Sequence, residues 1–289
     1  MKRVLLTGSS GQVGSRLSRM LTKAGLEVIG VGRGVGSPGS SRQVECDLLT
    51  GDVDALIEQV RPQMLIHLAW VTQPGVFWGS SENSDWLGAS VKLFESFKKW
   101  GGTKIAVSGT CAEYNWESSL PHIESEYEQP KSAYGQAKLE LLNFLRAQTV
   151  PFLWSRTFFQ FGDREPSGRL IPSLIDSLSK GEPFAIKRPN DVRDFVYVDD
   201  VAQIFSRLIL QDTDGVFNIA SGEGKTAREL AEIIASRLGR ADLLHYEEPQ
   251  EPPSIVVADL AKLNSTLGSI ILTPIRDAID KTIQERATL

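Results

Sequence analysis

Tyr134 and Lys138 are the side chains of this sequence whose types and spacing best suit acid–base chemistry. They stand four residues apart in Tyr134-Gly135-Gln136-Ala137-Lys138, and on a helix that spacing places both on one face, one turn apart. A free tyrosine, with a pKa of about 10, is a poor base at neutral pH, but a nearby cation stabilises its phenolate and lowers the pKa. The pair predicts a tyrosine that exchanges a proton with a bound molecule, although chance also brings these residue types together in many helices.

Hydroxyl side chains stand at the end of a predicted strand that runs from Lys104 to Ser108. In doubly wound sheets, the carboxyl ends of the strands are where ligands bind. A hydroxyl at that place can hold a carbonyl oxygen while Tyr134 exchanges a proton with it. We therefore predict a catalytic group of Thr110, Tyr134 and Lys138, with Ser108 as the alternative to Thr110.

Three glycines follow the first predicted strand, and the segment that holds them, Thr7-Gly8-Ser9-Ser10-Gly11-Gln12-Val13-Gly14, opens the first predicted helix. Glycine lets the chain turn sharply and lets backbone N–H groups approach a pyrophosphate at the positive end of the helix dipole. A tight turn without a ligand is the alternative, but the position between strand and helix favours a dinucleotide site. Lys138 can then also hydrogen-bond the ribose of the dinucleotide.

The end of the second predicted strand bears on which dinucleotide binds. NAD-preferring sites have a carboxylate there for the ribose 2′-hydroxyl, whereas this strand ends in Val31-Gly32-Arg33-Gly34. A guanidinium can pair with a 2′-phosphate, so NADP is the preferred cofactor and NAD the other possibility; a solvated surface arginine is the alternative for Arg33. Asp47 is expected to accept a hydrogen bond from the adenine amino group. The predicted cofactor contacts are Gly8, Ser10, Gly11, Gln12, Val13, Gly14, Arg33, Asp47, Leu48, Leu68, Ala69, Ser108, Tyr134, Lys138 and Phe158.

Short β-branched runs alternate with amphipathic stretches through the first half of the chain, and the Tyr134 helix is predicted over about Ala133 to Ala147. This alternation is typical of an α/β fold with a doubly wound parallel sheet of the Rossmann kind. Beyond Gly162 the proline content rises, which indicates a smaller, sequence-interleaved C-terminal substrate lobe. We predict a dinucleotide-binding domain over residues 1–162, with returning segments near 192–219 and 254–264, and a substrate-binding lobe over residues 163–191, 220–253 and 265–289.

Two further segments extend the pattern beyond Thr-Gly-x-x-Gly-x-x-Gly and Tyr-x-x-x-Lys. They are Arg193-Asp194-Phe195-Val196-Tyr197-Val198-Asp199-Asp200-Val201-Ala202 and Phe217-Asn218-Ile219-Ala220-Ser221-Gly222. Over nearly the whole chain, the sequence resembles the extended short-chain dehydrogenases that act on nucleotide-activated sugars, often labelled epimerase/dehydratase. In that family the catalytic hydroxyl lies four positions before a tyrosine, so Tyr114 favours Thr110 over Ser108.

The resemblance also implies substrate contacts, which we predict at Thr110, Cys111, Phe159 and Arg193. It implies that Arg193 approaches the nucleotide or diphosphate of the substrate, with a structural ion pair as the alternative. Phe159 stands where the family usually has asparagine, and Cys111 is as well explained by packing. Aromatic side chains that follow the fourth strand could line the substrate pocket by stacking or pack in the core; these are Trp70, Phe77, Trp78 and Trp86.

The resemblance leaves several reactions open. The family's 4,6-dehydratases carry Asp-Glu directly after the threonine, where this chain has Cys111 and Ala112, so dehydration is not expected. Arg33 indicates a preference for NADPH, and NADPH suits a reductase, which releases the spent cofactor after each turnover. We therefore favour reduction of a nucleotide-linked 4-keto-6-deoxy sugar. A nucleotide-sugar 4-epimerase that retains NAD(P) is the alternative. A non-catalytic dinucleotide-binding sensor is a second alternative. Such a sensor would be expected to lack Tyr134 or Lys138, and this sequence has both.

Composition bounds the partners and the compartment. The 289 residues carry a formal net charge of -5 and are 41% hydrophobic, so no basic surface is expected to attract nucleic acid. No apolar run approaches the ~20 residues that span a bilayer, so no membrane partner is expected. The two cysteines, Cys46 and Cys111, are too few for a disulfide framework or a metal cluster, which predicts the reducing cytoplasm and no metal. A two-fold homodimer through helices beside the Tyr134 helix is implied by the resemblance.

Overall fold

A computed structural model describes residues 2–34, 39–117 and 121–288. Within them, the main sheet has seven strands in the order β10-β6-β5-β4-β1-β2-β3, and every neighbouring pair is parallel. Its strands are β1 (Arg3–Thr7), β2 (Glu27–Gly32), β3 (Arg42–Glu45), β4 (Met64–His67), β5 (Lys104–Thr110), β6 (Phe152–Thr157) and β10 (Gly215–Ile219). The order reverses between β1 and β4, so the predicted doubly wound α/β sheet is confirmed.

Helices cover both faces of this sheet. The helices of the described residues are α1 (Gln12–Lys23), α2 (Val53–Val60), α3 (Glu82–Lys99), α4 (Ala133–Arg146), α5 (Leu170–Ser179), α6 (Val198–Leu210), α7 (Ala227–Leu238), α8 (Ala261–Leu267) and α9 (Ile275–Arg286); of these, α1, α2, α3, α4, α6 and α8 pack on the main sheet. In β1, Leu5 packs into the core that α2, α3 and α4 share, whereas Val4 and Leu6 pack into the core that α1 and α6 share. Because both faces are buried, the strand is continuously apolar rather than alternating.

A second, smaller group of strands follows β6. It comprises β7 (Phe159–Phe161), β8 (Phe184–Ile186), β9 (Val192–Tyr197), β11 (Gly224–Thr226), β12 (Leu244–Tyr246) and β13 (Ile255–Val256). β9 pairs with β7, β11 and β13, and β8 pairs with β12. Residues 192–197 and 255–256 therefore lie outside the main sheet, while residues 215–219 form its edge strand. The division of the chain into two lobes stays a prediction.

The second group packs around its own apolar core. α5, α7 and α9 enclose this core with the side chains of β7 and β9. The segment from Gly162 to Arg169 connects β7 to α5 and passes the carboxyl ends of the main strands. Among the helices of the described residues, none combines the length and the apolarity that a bilayer span requires.

Candidate active site

A cleft of about 490 Å³ lies at the carboxyl ends of the main-sheet strands. This is the place where open parallel sheets bind ligands, on both sides of the point at which the strand order reverses. The predicted residues that line it are Gly8, Ser10, Gly11, Gln12, Val13, Gly14, Arg33, Asp47, Leu48, Leu68, Ala69, Ser108, Thr110, Cys111, Tyr134, Lys138, Phe158 and Phe159. The fold therefore brings every predicted cofactor contact and the predicted catalytic group to one surface.

The glycine turn between β1 and α1 lines the cleft, and two of its glycines, Gly8 and Gly14, have no space for a side chain. Gly8 has φ +67°, and a Cβ added there would lie 2.9 Å from the backbone nitrogen of Ala69. A Cβ on Gly14 would lie 2.1 Å from the carbonyl oxygen of Gly8. Gly11 caps α1 without a side chain, so the first N–H groups of the helix remain available to an anion. These residues fit the dinucleotide that the sequence predicts.

A buried chain of hydrogen bonds, absent from the sequence prediction, positions this turn. The N–H groups of Leu68 and Ala69 donate to Thr7 Oγ1 (3.2 and 3.3 Å), which bonds to His67 Nδ1 at 2.8 Å. His67 Nε2 lies 2.9 Å from Ser90 Oγ, and that hydroxyl donates to a backbone carbonyl of α3. Burial lowers the pKa of His67 to about 3, so the ring is neutral, accepts from Thr7 and donates to Ser90. These hydrogen bonds connect β1 to β4 and α3.

The far end of the cleft from Tyr134 carries Arg33, which is exposed on the rim after β2. Asp47 lies near it and accepts a hydrogen bond from the backbone N–H of Leu49 at 2.9 Å. Of the described residues that line the cleft, Asp47 alone carries a carboxylate. The end of β2 therefore offers a cation rather than the acid that would bind a free 2′-hydroxyl.

Lys138 is deeply buried, and its ammonium group is held away from bulk water. Its Nζ donates to the carbonyl oxygen of Ser108 at 2.9 Å and lies 3.8 Å from the ring centroid of Trp70. The Tyr134 ring centroid is 6.0 Å from the same nitrogen. Burial lowers the pKa of Lys138 to about 7, and the charge of Glu113 opposes that shift.

The pKa of Tyr134 does not follow the sequence prediction. We expected Lys138 to lower it, but burial dominates and raises it, while a hydrogen bond with Thr110 opposes the rise. The physical reason is that the Lys138 ammonium group contacts the Ser108 carbonyl and the Trp70 face rather than the Tyr134 hydroxyl. Burial also lowers the pKa of Lys138, so that less of this lysine is positively charged. Tyr134 is therefore a protonated phenol at neutral pH, beside a hydroxyl that also faces the cleft.

Aromatic rings surround Tyr134. Its ring centroid lies 5.0 Å from that of Phe77, 5.8 Å from Trp78 and 6.5 Å from Trp70, in edge-to-face arrangements. Trp86 also lines the cleft. The rings both hold the tyrosine and form one wall of the space beside its hydroxyl, so packing and pocket lining are one role here rather than alternatives.

Thr110 is fixed by a buried acid that the sequence left unassigned. The Glu113 carboxylate accepts the N–H of Thr110 (2.8 Å), the indole N–H of Trp154 (3.0 Å) and Nε of Arg156 (2.8 Å). Glu113 and Arg156 both have side chains with no exposed surface, and Arg156 also donates to Glu128. The Glu113 carboxylate is consumed in this network and does not line the cleft, so it offers no acid or base for eliminating water.

The predicted substrate residues are placed unequally. Cys111 and Phe159 line the cleft, and burial raises the pKa of the Cys111 thiol. Arg193 lies outside the lining: its guanidinium donates to Asp191 (3.0 Å), to Ser254 Oγ (2.8 Å) and to two backbone carbonyls. Those contacts are the structural ion pair that we considered as its alternative. A role for Arg193 in substrate binding stays a prediction.

Sequence reasoning missed a pair of arginines that do line the cleft. Arg164 and Arg169 come from the segment between β7 and α5 and face the space beside Phe159 and Gln160. Their sequence signal was weak, because that segment has no motif apart from its glycines and prolines. It becomes recognisable as part of the site only once β6 and α5 bring it over the sheet edge.

Comparison with known proteins bears on this site. Residues 4–220 match the NAD dependent epimerase/dehydratase family. The chain belongs to that family. The predicted resemblance is thus confirmed, and this family member is an enzyme that uses a nicotinamide dinucleotide.

Individual relatives of this family member differ in reaction. A putative UDP-glucose 4-epimerase from Methanocaldococcus jannaschii is 28% identical over 86% of this chain and 86% of its own. A dTDP-4-dehydro-6-deoxyglucose reductase from Escherichia coli is 23% identical over 68% of this chain and 65% of its own. The structure of a UDP-glucose 4-epimerase from Thermotoga maritima with UDP-glucose superposes with a TM-score of 0.87, at 23% identity, over 99% of each chain. Epimerisation and reduction thus both occur among proteins similar to this one.

Proposed function

We propose that this enzyme reduces a nucleotide-linked 4-keto sugar with NADPH, and that Tyr134 donates the proton to the new hydroxyl. One observation carries the proposal: Thr110 and Tyr134 share a cleft with the glycine turn and with Arg33, the cation at the end of β2 where an NAD site has an acid. A reductase needs an acid at the start of its reaction, whereas oxidation of a sugar hydroxyl needs a base. Tyr134, a protonated phenol at neutral pH, can supply that acid, and NADPH, which Arg33 favours, suits the reductive direction.

The chain's own groups have separate tasks. Thr110 and Tyr134 orient the substrate oxygen through their hydroxyls, and Tyr134 transfers its proton to that oxygen. Lys138, one turn further along α4, is the group that we assign to the ribose of the dinucleotide, and the Trp70, Phe77 and Trp78 rings exclude water from the Tyr134 hydroxyl. The nicotinamide, when bound, supplies the hydride.

Replacing Tyr134 by phenylalanine tests these roles. We expect Tyr134→Phe to lose roughly 10²- to 10⁴-fold in turnover, because the proton donor is gone. Binding of NADPH, measured by fluorescence titration, should persist, since the glycine turn is untouched. Retained turnover in this variant would rule Tyr134 out as the acid.

The reaction itself is tested with purified enzyme, NADPH and a dTDP- or UDP-linked 4-keto-6-deoxy sugar. Consumption of NADPH, with conversion of the 4-keto group to a 4-hydroxyl group, supports reduction. If NADPH is not consumed while UDP-glucose is converted to its 4-epimer, the enzyme is an epimerase. That second candidate is favoured by the similarity to the Methanocaldococcus and Thermotoga proteins, a putative UDP-glucose 4-epimerase and a UDP-glucose 4-epimerase.

Dehydration has less support than either. Cys111 and Ala112 follow Thr110, and the nearest acid, Glu113, is bound by Arg156 and Trp154. A sensor without turnover is also disfavoured, because Tyr134 and Lys138 are both present in the cleft.

The preference for NADP rests on Arg33. We expect Arg33→Ala to weaken NADPH binding roughly ten- to a hundredfold, because a charge-assisted contact to the 2′-phosphate is lost. NADH binding should be unchanged. Arg42→Ala is the matched control, since Arg42 is exposed on β3 and does not line the cleft. Equal losses for NADPH and NADH in Arg33→Ala would remove the argument for NADP.

The homodimer and the cytoplasmic location also stay predictions. A dimer through helices beside α4 is a proposal from the family resemblance, and light scattering of the purified enzyme measures it directly.

A further inference from the structure

The cations of the cleft divide into those already engaged and those available to a substrate. Within the described parts of the chain, the cations that line it are Arg33, Lys138, Arg164 and Arg169. Arg33 belongs to the dinucleotide end, and Lys138 is bonded to the Ser108 carbonyl. Arg193, the cation that the family resemblance implied, already donates both terminal nitrogens to acceptors of this chain. Arg164 is paired with Asp163 at 3.5 Å, so the diphosphate of a nucleotide-linked sugar needs another partner.

Arg169 has the geometry of that partner. Its guanidinium carbon lies 5.9 Å from the centroid of Phe77, the ring that packs 5.0 Å from Tyr134, and its charge acts on the Tyr134 hydroxyl. Its Nε is buried and finds no hydrogen-bond partner among residues 2–34, 39–117 and 121–288. Arg169 also stands at the N-terminus of α5, whose first turn holds no acid, and both features favour an anion.

Glu165 is the counter-ion of Arg169, and their contact is weak. Glu165 Oε1 lies 4.0 Å from a terminal nitrogen of Arg169, at the outer limit of an ion pair. The side chain is 5% exposed, and Oε2 is buried with no hydrogen-bond partner in the described residues. It lines a second cavity of about 240 Å³ that shares Arg169, Phe77 and Phe159 with the cleft. A buried carboxylate without a full set of partners is costly.

The surroundings of Glu165 place it near its titration point. Burial raises the pKa of Glu165 to about 7, while Arg169, the Gly162 N–H and Arg286 act in the opposite direction. Arg286 donates to the backbone carbonyl of Glu165, and its charge is paired with Asp176. Arg169 is therefore the cation on which the charged form of Glu165 chiefly depends.

We propose that Arg169 binds the diphosphate of the nucleotide-linked substrate, and that Glu165 takes up a proton from solvent as Arg169 turns to that diphosphate. The proposal rests on the proposed function, because it presumes a nucleotide-linked substrate. Loss of the cation and arrival of an anion both disfavour the Glu165 carboxylate. The protonated Glu165 can then donate a hydrogen bond to the diphosphate, which the Glu165 carboxylate would repel.

Substrate affinity depends on pH through Glu165. Binding of the diphosphate by Arg169 raises the pKa of Glu165 above its value of about 7 in the free protein. Above that value the free protein holds no proton on Glu165 and must acquire one to bind, so affinity falls as the pH rises. Below it the proton is already present, and affinity becomes independent of this group.

Calorimetric titration of the NADP-saturated enzyme tests both parts. The probes are UDP-glucose, dTDP-glucose and GDP-mannose, whose diphosphate diesters have no group that titrates near neutral pH. In buffers that differ in ionisation enthalpy, the binding enthalpy of the unaltered enzyme should vary and report proton uptake. Glu165→Gln should remove that variation. Arg169→Gln should weaken binding roughly ten- to a hundredfold, and Arg169→Lys should recover part of the loss.

Arg240→Gln is the matched control, because Arg240 is exposed and does not line either cavity. If Arg169→Gln binds as tightly as the unaltered enzyme, or if Arg193→Lys alone weakens binding, Arg169 does not hold the diphosphate. If Glu165→Gln keeps the buffer dependence, the proton goes elsewhere. If the unaltered enzyme binds NADPH but none of the three sugar nucleotides, the proposed function fails first, which separates the two failures.

Discussion

Lys138 shows, at the scale of one residue, how burial changes the protonation of a basic side chain. Its amine is buried against Trp70 and bonded to one backbone carbonyl, where an ordinary structural site would have an apolar side chain. Burial lowers its pKa from 10.5 to about 7. The folded protein therefore releases this proton in a pH range where the unfolded chain keeps it.

Stability should register that difference. Between about pH 7 and 10.5 the unfolded chain binds more protons at this site, so the free energy of unfolding rises with pH by at most about 1.4 kcal/mol per unit. Lys138→Met lacks the effect. In urea unfolding at several pH values, the free energy of unfolding of the unaltered protein should rise relative to that of Lys138→Met as the pH rises. Lys92→Met, an exposed control on α3, should track the unaltered protein; parallel curves for Lys138→Met would contradict the lowered pKa.

At the scale of elements, the site depends on how the ends of strands are joined. Thr7 and His67 are partners in the register of β1 and β4, and their side chains continue into a hydrogen bond that Ser90 extends to α3. Thr7 in turn accepts the N–H groups of the residues against which Gly8 packs. His67 is therefore a positioning residue for the glycine turn.

Replacing His67 should affect both stability and the cofactor. His67→Leu leaves the Thr7 hydroxyl without its acceptor, which we expect to cost about 1–3 kcal/mol in unfolding free energy and to weaken NADPH binding. Ser90→Ala removes the outer bond alone, so it should lose stability but bind NADPH normally. Equal NADPH affinity in both variants would limit His67 to a structural role.

At the scale of the whole molecule, Arg16 joins α1 to the segment that follows β7 and to α6. This α1 residue is 6% exposed and forms ion pairs with Asp163, in the segment after β7, and with Asp199, in the first turn of α6. It also donates to the carbonyl of Gln12, whose side chain donates to the backbone of Asp163. The turn that would hold a dinucleotide and the segment that carries Arg169 are thus in direct contact.

Breaking this junction should be expensive. Arg16→Gln leaves the carboxylates of Asp163 and Asp199 without their cation; because Asp199 is half exposed and screened by water, we expect a loss of about 1–3 kcal/mol in unfolding free energy. Arg240→Gln, at an exposed position after α7, should change stability by about 0.5 kcal/mol or less. A loss below about 1 kcal/mol for Arg16→Gln would show that the ion pairs are solvated and weak.

Much of this enzyme was determined by short-range patterns in its sequence. The helix predicted over about 133–147 is α4, Ala133–Arg146, and the strand predicted over 104–108 is β5, Lys104–Thr110. The glycine turn, the tyrosine–lysine spacing and the family were recognisable for the same reason: their signals lie within a few neighbouring residues, where helix and strand periods govern the side chains.

Only the tertiary structure decided where the charged groups go. It placed Arg193 against Asp191 and Ser254, Glu113 against Arg156, and Arg169 in the cleft. It also reversed the expected pKa shift of Tyr134, since burial outweighs a lysine that is directed elsewhere. These outcomes depend on contacts between residues far apart in the chain, and on desolvation, which no local spacing encodes.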